Sequence, residues 1–364
     1  MTPLETEIRA MIAQEGPMPL ERYMALALGH PTLGYYMTRD PFGASGDFVT
    51  APEISQMFGE LLGLWAAEVW TMMGAPAPVR LVELGPGRGA LIADALRAAA
   101  VAPAFRAAVS VELVETSPAL RKRQAAALAG VGLPVAWRER LEDVPDGPMI
   151  VLANEFFDAL PVRHYVRVGE GWRERLVGLG PDGALAFGVA PFAEPAIAVP
   201  APEGAVMELS PIGHRVAATL ARRLARDGGA ALIVDYGHLR SGFGETLQAV
   251  RAHRYADPLR DVGEADLTAH VDFASLGEAA RRAGAAVHGP IAQGALLRRL
   301  GLAQRAERLA RGADEAGARA IAAATHRLAG AGADAMGELF KAVAFAHPDL
   351  PAPPGFETQG APPA

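Results

Sequence analysis

The stretch Leu81-Val82-Glu83-Leu84-Gly85-Pro86-Gly87-Arg88-Gly89 decides how this chain is read. An apolar run carrying an acid leads into three glycines at alternate positions. That order predicts a buried strand, a tight turn and a helix starting after Gly89. Glycine tolerates a left-handed backbone and lets a ligand approach where a Cβ would collide. Dinucleotide folds use G-x-G-x-x-G with their acid about 20 residues further on. Here the third glycine comes one residue early, and Ala90 stands where that fingerprint has glycine or alanine. Glu83 lies on the strand, where it would repel a pyrophosphate; a carboxylate there suits a cation. S-Adenosylmethionine carries both an ammonium and a sulfonium, so Glu83, Gly85, Pro86, Gly87 and Gly89 are assigned to a methyl-donor site.

The next apolar run, Ala108-Val109-Ser110-Val111-Glu112-Leu113-Val114-Glu115, reads as a second strand ending in an acid. Ser117-Pro118 supplies an N-cap followed by proline at the first helical position. Glu115 is placed to accept hydrogen bonds from two ribose hydroxyls. An ordinary βαβ unit with a surface glutamate would explain the glycine turn alone, but not the turn and both acids in order.

Composition sets the outer bounds. A chain of 364 residues can build one large domain or two modest ones. It is 51% hydrophobic, yet no apolar run reaches the length of a membrane span, so no membrane insertion is expected. A net charge of −7 argues against nucleic acid as the main partner. With no cysteine, disulfides, thiol catalysis and cysteine metal sites are excluded. Met1 to Gln14 carries Glu5 and Glu7 and has no basic-then-apolar pattern, which fits neither a secretory signal nor a transit peptide. The expected location is a bacterial cytoplasm, or a mitochondrial matrix if a transit peptide has been removed.

Strands near Leu81, Val109, Met149 and Ala231 alternate with helical patterns, which predicts a mostly parallel sheet covered by helices. The expected organisation is an N-terminal helical region over 1–75 and a Rossmann-like domain over 76–346. Insertions are expected near 164–205 and 242–275, and a proline-rich, disordered tail over 347–364. Within the first region, Pro19 and Gly29 bracket one helix. Thr50-Ala51-Pro52-Glu53 has capping-box spacing and opens a long helix whose apolar face includes Phe58, Leu61, Trp65 and Val69. The loop Gly46-Asp47-Phe48-Val49-Thr50 before it is a candidate lid over the donor, and Gly46, Asp47, Phe48 and Thr50 join the donor-site residues.

A second constellation, Asn154-Glu155-Phe156-Phe157-Asp158-Ala159-Leu160-Pro161, follows the apolar run Met149 to Leu152. Open α/β sheets bind ligands outside the carboxyl ends of their strands. Asn154, Glu155 and Asp158 are therefore the candidate catalytic residues, one amide and two carboxylates in a short loop flanked by phenylalanines. Asp266, His270 and Asp272 have i, i+4 spacing between the first two, but with no second histidine nearby no metal is assigned. Arg298, Arg299, Arg305 and Arg308 are read as a solvated helix face, and His238, after Asp235-Tyr236-Gly237, as solvent-facing.

Taken together these blocks resemble the MidA-type methyltransferases. The resemblance is carried by His30-Pro31…Gly34-Tyr35-Tyr36, Gly46-Asp47-Phe48, Pro52-Glu53…Phe58-Gly59-Glu60, the Glu83–Gly89 turn, Asn154-Glu155-Phe156…Asp158-Ala159-Leu160-Pro161 and Asp235-Tyr236-Gly237. It continues through Asp266-Leu267-Thr268…His270-Val271-Asp272-Phe273 and Met336-Gly337-Glu338-Leu339-Phe340-Lys341, and so covers nearly the whole chain. Two positions depart from the family pattern. Glu245 precedes Thr246-Leu247 where glycine is usual, and Ala292-Gln293 replaces Thr-Gln. Both lie outside the donor site.

The resemblance implies an α/β fold of the class I S-adenosylmethionine methyltransferase type, with the N-terminal helical region and the β/loop excursions as additions. The family includes the mitochondrial complex I assembly factor that dimethylates a protein arginine symmetrically. The implied partner is a protein with a target arginine, such as a hydrophilic complex I subunit. A guanidinium has no free lone pair at neutral pH, and removing its proton first would cost on the order of 9 kcal/mol from a pKa of about 13.8. A nearby carboxylate stabilises the cation and cannot lower that cost. Glu155 and Asp158 are thus expected to hold and orient the acceptor while its proton leaves as the methyl arrives. A small-molecule methyltransferase would share the donor site with an enclosed acceptor pocket. An assembly chaperone would have no need of an intact donor turn.

Overall fold

The computed structural model describes residues 1–38 and 49–357, and these form two compact units. One gathers Met1–Phe48, Asp158–Arg215 and Ser241–His270; the other gathers Val49–Phe157, Val216–Arg240 and Val271–Ala364.

The second unit is built on an eight-stranded sheet whose seven main strands are β1 (Val79–Leu84), β2 (Val109–Val114), β3 (Val135–Arg138), β4 (Met149–Asn154), β5 (Gly229–His238), β6 (Ala286–Ala292) and β7 (Phe340–Ala346); a short strand, Val271–Asp272, pairs in parallel with the end of β5. Their spatial order is 3-2-1-4-5-7-6. The five neighbours from β3 to β5 pair in parallel, while β7 runs antiparallel to both β5 and β6. β4 and β5 are buried almost throughout, as expected of parallel strands covered on both faces. The chain leaves β1 toward β2 on one side and returns to β4 on the other, so the strand order reverses between β1 and β4. That reversal opens a crevice at the carboxyl ends of the strands.

Helix Gln56–Met72 packs against helix Ala90–Ala98 through two glycines. A Cβ at Gly59 would stand 2.7 Å from Asp94 Cβ, and one at Gly63 would stand 2.3 Å from the Ala95 carbonyl oxygen. No larger residue permits that approach. Buried Glu60 lies on the same helix and accepts two hydrogen bonds from Arg305, at 2.6 and 2.8 Å, as well as one from Arg97. Arg305 therefore anchors helix Leu302–Ala310 and is no member of a solvated face.

The long helix expected to open at Thr50 is interrupted. Ala51–Ile54 forms one helical turn, Ser55 becomes extended, and Gln56–Met72 starts anew with the Ser55 hydroxyl accepting from the Met57 N–H at 3.2 Å. Thr50 makes no side-chain cap. Against the expectation of disorder, the described part of the proline-rich tail, through residue 357, packs on the fold. Phe356 sits in the main core, the Trp65 indole donates to the Pro354 carbonyl at 3.2 Å, and Arg299 donates to the Gly355 carbonyl at 2.8 Å. Buried aromatic area and two captured carbonyls offset the low intrinsic order of a proline-rich segment.

The first unit has its own core, in which Leu4, Ile8, Tyr23, Met24 and Tyr35 pack with Val177, Leu185 and Leu267. Helices Pro3–Glu15 and Leu20–Gly29 supply the N-terminal part, the latter bounded by Pro19 and His30. Strands Arg163–Val168, Gly171–Leu179, Leu185–Val189 and Val206–Leu209 make an antiparallel sheet, joined by Met18–Pro19. The N-terminal region and the two excursions thus share one core instead of decorating the chain separately. Helix Gln56–Met72, read from sequence as part of the N-terminal region, takes its place in the other unit's core.

Candidate active site

The glycine turn has the backbone its sequence predicts. Gly85, Gly87 and Gly89 lie at φ +62°, +54° and +85°, and Gly89 caps helix Ala90–Ala98. The Gly89 N–H closes the turn on the Pro86 carbonyl at 2.8 Å, and the Gly85 N–H reaches the Val114 carbonyl on β2 at 3.1 Å. A Cβ on Gly85 would lie 2.9 Å from the Phe156 ring, and one on Gly89 would lie 3.4 Å from Gln124 Cα. Arg88 points away from the glycines to Glu53, at 3.5 Å.

Two acids flank this turn. Glu83 is 3% exposed, and its Oε2 has no hydrogen-bond partner among the described residues. Burial pushes its carboxyl up to about 8, the Glu115 charge adds to the rise, and the Ile92 N–H in the first turn of the helix opposes it. A buried acid lacking a cation is costly to ionise. Glu115, also buried, is raised by desolvation, against which the Ser117 N–H and the Gln124 amide work. Its Oε1 accepts from Ser117 N at 2.8 Å and its Oε2 from Gln124 Nε2 at 3.1 Å. The set fits S-adenosylmethionine: a polar atom awaiting a cation, a cradle that any Cβ would fill, and a fixed carboxylate one strand away.

β4 pairs with β1 and ends at Asn154. Glu155 follows at φ +50°, a left-handed conformation that costs a non-glycine residue about 1–3 kcal/mol. Asp235, fully buried on β5 just past its last pair with β4, holds it there. One of its oxygens accepts from the Phe156 and Phe157 N–H groups at 3.2 and 2.9 Å, the other from its neighbour Tyr236 at 2.9 Å. The Glu155 N–H pairs with the Val234 carbonyl at 3.0 Å. Its carboxylate accepts from the Ala51 N–H at 3.2 Å and from Asn154 Nδ2 at 3.0 Å. Asn154 Oδ1 is buried without a partner among the described residues.

Asp158 belongs to the first unit. There it is buried and its carbonyl accepts from Ala269 N at 3.0 Å. In the same unit the Tyr36 hydroxyl donates to Asp266 Oδ1 at 2.8 Å, and burial followed by the charges of Asp266 and Asp158 raises the Tyr36 hydroxyl well above its usual range. Thr50 is buried beside Ala51 in sequence, whereas Gly46, Asp47 and Phe48 lie outside the described residues. Asp266 and His270 are not on a helix: Asp266–Thr268 is a strand, and Asp272 caps helix Phe273–Arg282 through the Ser275 N–H. The helical spacing that suggested a cluster is therefore not realised. His238 is partly exposed, 3.8 Å from Asp272.

The roles of two residues of this site escape a reading by motif. Asp235 stands in a quoted block, Asp235-Tyr236-Gly237, but nothing there assigns it to the loop after β4. Gln124 is one of several polar residues in the helix Pro118–Ala127. Its only signal is an amide at the position where that helix's buried face also carries Leu120.

Comparison with known proteins agrees with this geometry. A model of a family of S-adenosyl-L-methionine-dependent methyltransferases matches residues 61–291. The chain is 41% identical over 342 residues to the mitochondrial protein arginine methyltransferase NDUFAF7 homolog of Drosophila melanogaster, covering 84% of this chain and 76% of that one. It is 38% identical over 328 residues to human NDUFAF7, a mitochondrial protein arginine methyltransferase, covering 83% and 74%. Among solved structures, a protein of Burkholderia thailandensis holding S-adenosyl-homocysteine superposes with a TM-score of 0.84 at 32% identity, over 98% of this chain and 95% of that one. The fold is that of S-adenosylmethionine methyltransferases, and this chain belongs to the S-adenosylmethionine-dependent methyltransferase family that includes the NDUFAF7 proteins.

Proposed function

We propose that this protein transfers methyl groups from S-adenosylmethionine to an arginine of a protein, giving symmetric dimethylarginine. The observation that carries the reading is the pair of adjacent strand ends. β1 ends in a donor turn flanked by Glu83 and Glu115, and β4 ends in an acid, Glu155, held in a conformation it would not choose. The names and identities of the relatives support a protein arginine as acceptor. The family resemblance favours a hydrophilic subunit of respiratory complex I, with the enzyme acting in a bacterial cytoplasm or a mitochondrial matrix. Among the described residues no helix is long and apolar enough to cross a membrane.

In this scheme Glu83 takes the ammonium of the donor, Glu115 takes its ribose hydroxyls, and Gly85, Pro86, Gly87 and Gly89 let the backbone close around it. The bound donor supplies an electrophilic methyl on a sulfonium. The chain's own task is alignment, since in-line displacement rewards a fixed approach more than any acid or base. Glu155 holds the guanidinium by charge-assisted hydrogen bonds, and Asn154 fixes the Glu155 carboxylate. Transfer of the methyl to the acceptor nitrogen would release S-adenosylhomocysteine, and the displaced N–H proton passes in the same event to the Glu155 carboxylate that holds it.

Two measurements test this. Loss of a dimethylarginine from the proteome of cells lacking the gene is expected; an unchanged set of protein methylarginines would move the acceptor to a metabolite. With purified enzyme, Glu155→Gln should lower turnover by about 100-fold or more while donor affinity stays within about twofold. Equal loss of both would remove Glu155 from the acceptor side.

A further inference from the structure

Gln124 is fully buried, and all of its amide is engaged. Its Nε2 donates to the Gly87 carbonyl in the donor turn at 2.8 Å and to Glu115 Oε2 at 3.1 Å. Its Oε1 accepts from the Trp137 indole on β3 at 2.8 Å. An indole N–H can only donate, so the amide oxygen must face Trp137 and both N–H bonds must face the turn and the acid. Three segments thus meet at one side chain: the turn after β1, the acid after β2, and β3. Gly89 packs against the same residue: its left-handed backbone at φ +85° calls for glycine, and a Cβ there would touch Gln124 Cα at 3.4 Å.

We propose that Gln124 is a positioning residue that aims the Glu115 carboxylate at the donor's ribose, and so sets the enzyme's preference for a ribose-bearing donor. The chemistry favours this over simple core filling. An apolar side chain of equal size would fill the space without placing a donor on each of two acceptors that face the ligand. A buried amide also carries a cost unless every hydrogen bond is made. Glu115 is buried and held at one oxygen by Ser117 N, so without Gln124 its second oxygen would be free to rotate out of register with the diol. The proposal rests on Glu115 as the ribose ligand.

The test is calorimetric binding of S-adenosylhomocysteine and of its 2′-deoxyribose analogue to the full-length protein, with Gln124→Met, Glu115→Gln and the double variant. Wild type is expected to prefer the ribose ligand by about tenfold, one hydrogen bond to a charged group. Gln124→Met should lose most of that preference while holding the deoxy analogue within about twofold, and the double variant should be no weaker than Glu115→Gln alone. Equal weakening of both ligands, or additive losses in the double variant, would make Gln124 a packing residue only and overturn the proposal. If Glu115→Gln retains the full ribose preference, the ribose assignment of Glu115 itself fails and the proposal falls with it. Should Gln124→Met not fold, Gln124→Glu keeps the acceptor for Trp137, removes both donors, and is read by the same criteria.

Discussion

The turn after β1 and the loop after β4 stand on adjacent strands, both leave with a left-handed residue, and they reach it by opposite means. The β1 turn uses glycine three times, at Gly85, Gly87 and Gly89, and the local sequence alone suffices for its shape. The β4 loop uses Glu155, whose Cβ opposes the conformation, and depends on Asp235 one strand further on. Under the proposed function the donor side is a cradle that needs backbone close to the ligand and no side chain in between. The proposed acceptor side needs a carboxylate at a fixed place, so a side chain is kept and the backbone strain is met by tertiary hydrogen bonds. The two regions also touch, since the Phe156 ring fills the space a Gly85 Cβ would need.

Breaking the first region should have the largest effect. Gly85→Ala adds a left-handed penalty of about 1–2 kcal/mol and drives its methyl into Phe156, so donor affinity should fall by about 10- to 100-fold, with turnover falling too because Phe156 adjoins Glu155. Retention of wild-type binding in a calorimetric titration would show the turn to be far softer than its contacts indicate.

An intermediate effect separates the two regions by charge. Glu83 is raised to about 8 by burial, whereas Glu155 has two N–H donors on its carboxylate. If a cationic donor requires ionised Glu83, binding must release a proton below pH 8. Affinity should then rise by about tenfold between pH 6.5 and 7.5 and flatten above pH 8. For the ligand-free protein the sign is reversed. A raised folded value means stability is fully present below pH ~4.5, declines as pH climbs, and is lost by about pH 8. Heats of donor binding in buffers of different ionisation enthalpy would count the proton; a count of zero at pH 7 contradicts the assignment.

The smallest effect addresses the strain itself. Glycine normally destabilises relative to alanine, but at φ +50° the order should invert, with Glu155→Gly more stable than Glu155→Ala by about 1 kcal/mol and both nearly inactive. Urea unfolding of the two variants decides it, and a more stable alanine variant would mean that the backbone relaxes once the carboxylate is gone.

The sheet, the donor turn and both flanking acids were legible because their signals are local. Apolar runs mark parallel strands, and glycine at alternate positions marks a turn that nothing else can make. The loop after β4 could be located for the same reason, as polar residues following a buried strand. What holds it could not be, because Asp235 lies about 80 residues away and its partners are backbone N–H groups, which carry no side-chain signature. Arg305 and Glu60 were invisible as a pair on similar grounds: an arginine in an alanine-rich helix looks the same whether it meets water or a buried acid. The break at Ser55 escaped because Thr50 offers an equally good cap, and only the packing of the following helix chooses between them.

Sequence by itself determined the four parallel strands β1, β2, β4 and β5 and the tight glycine turn after β1, since both rest on nearest-neighbour chemistry and side-chain periodicity. Tertiary structure alone decided that the N-terminal helices and the two excursions share one core, that the proline-rich tail packs through Phe356, and that Asp235 and Gln124 stand behind the residues facing the ligands. Those outcomes depend on which distant surfaces and backbone groups come within hydrogen-bonding reach, and that is set only when the chain closes on itself.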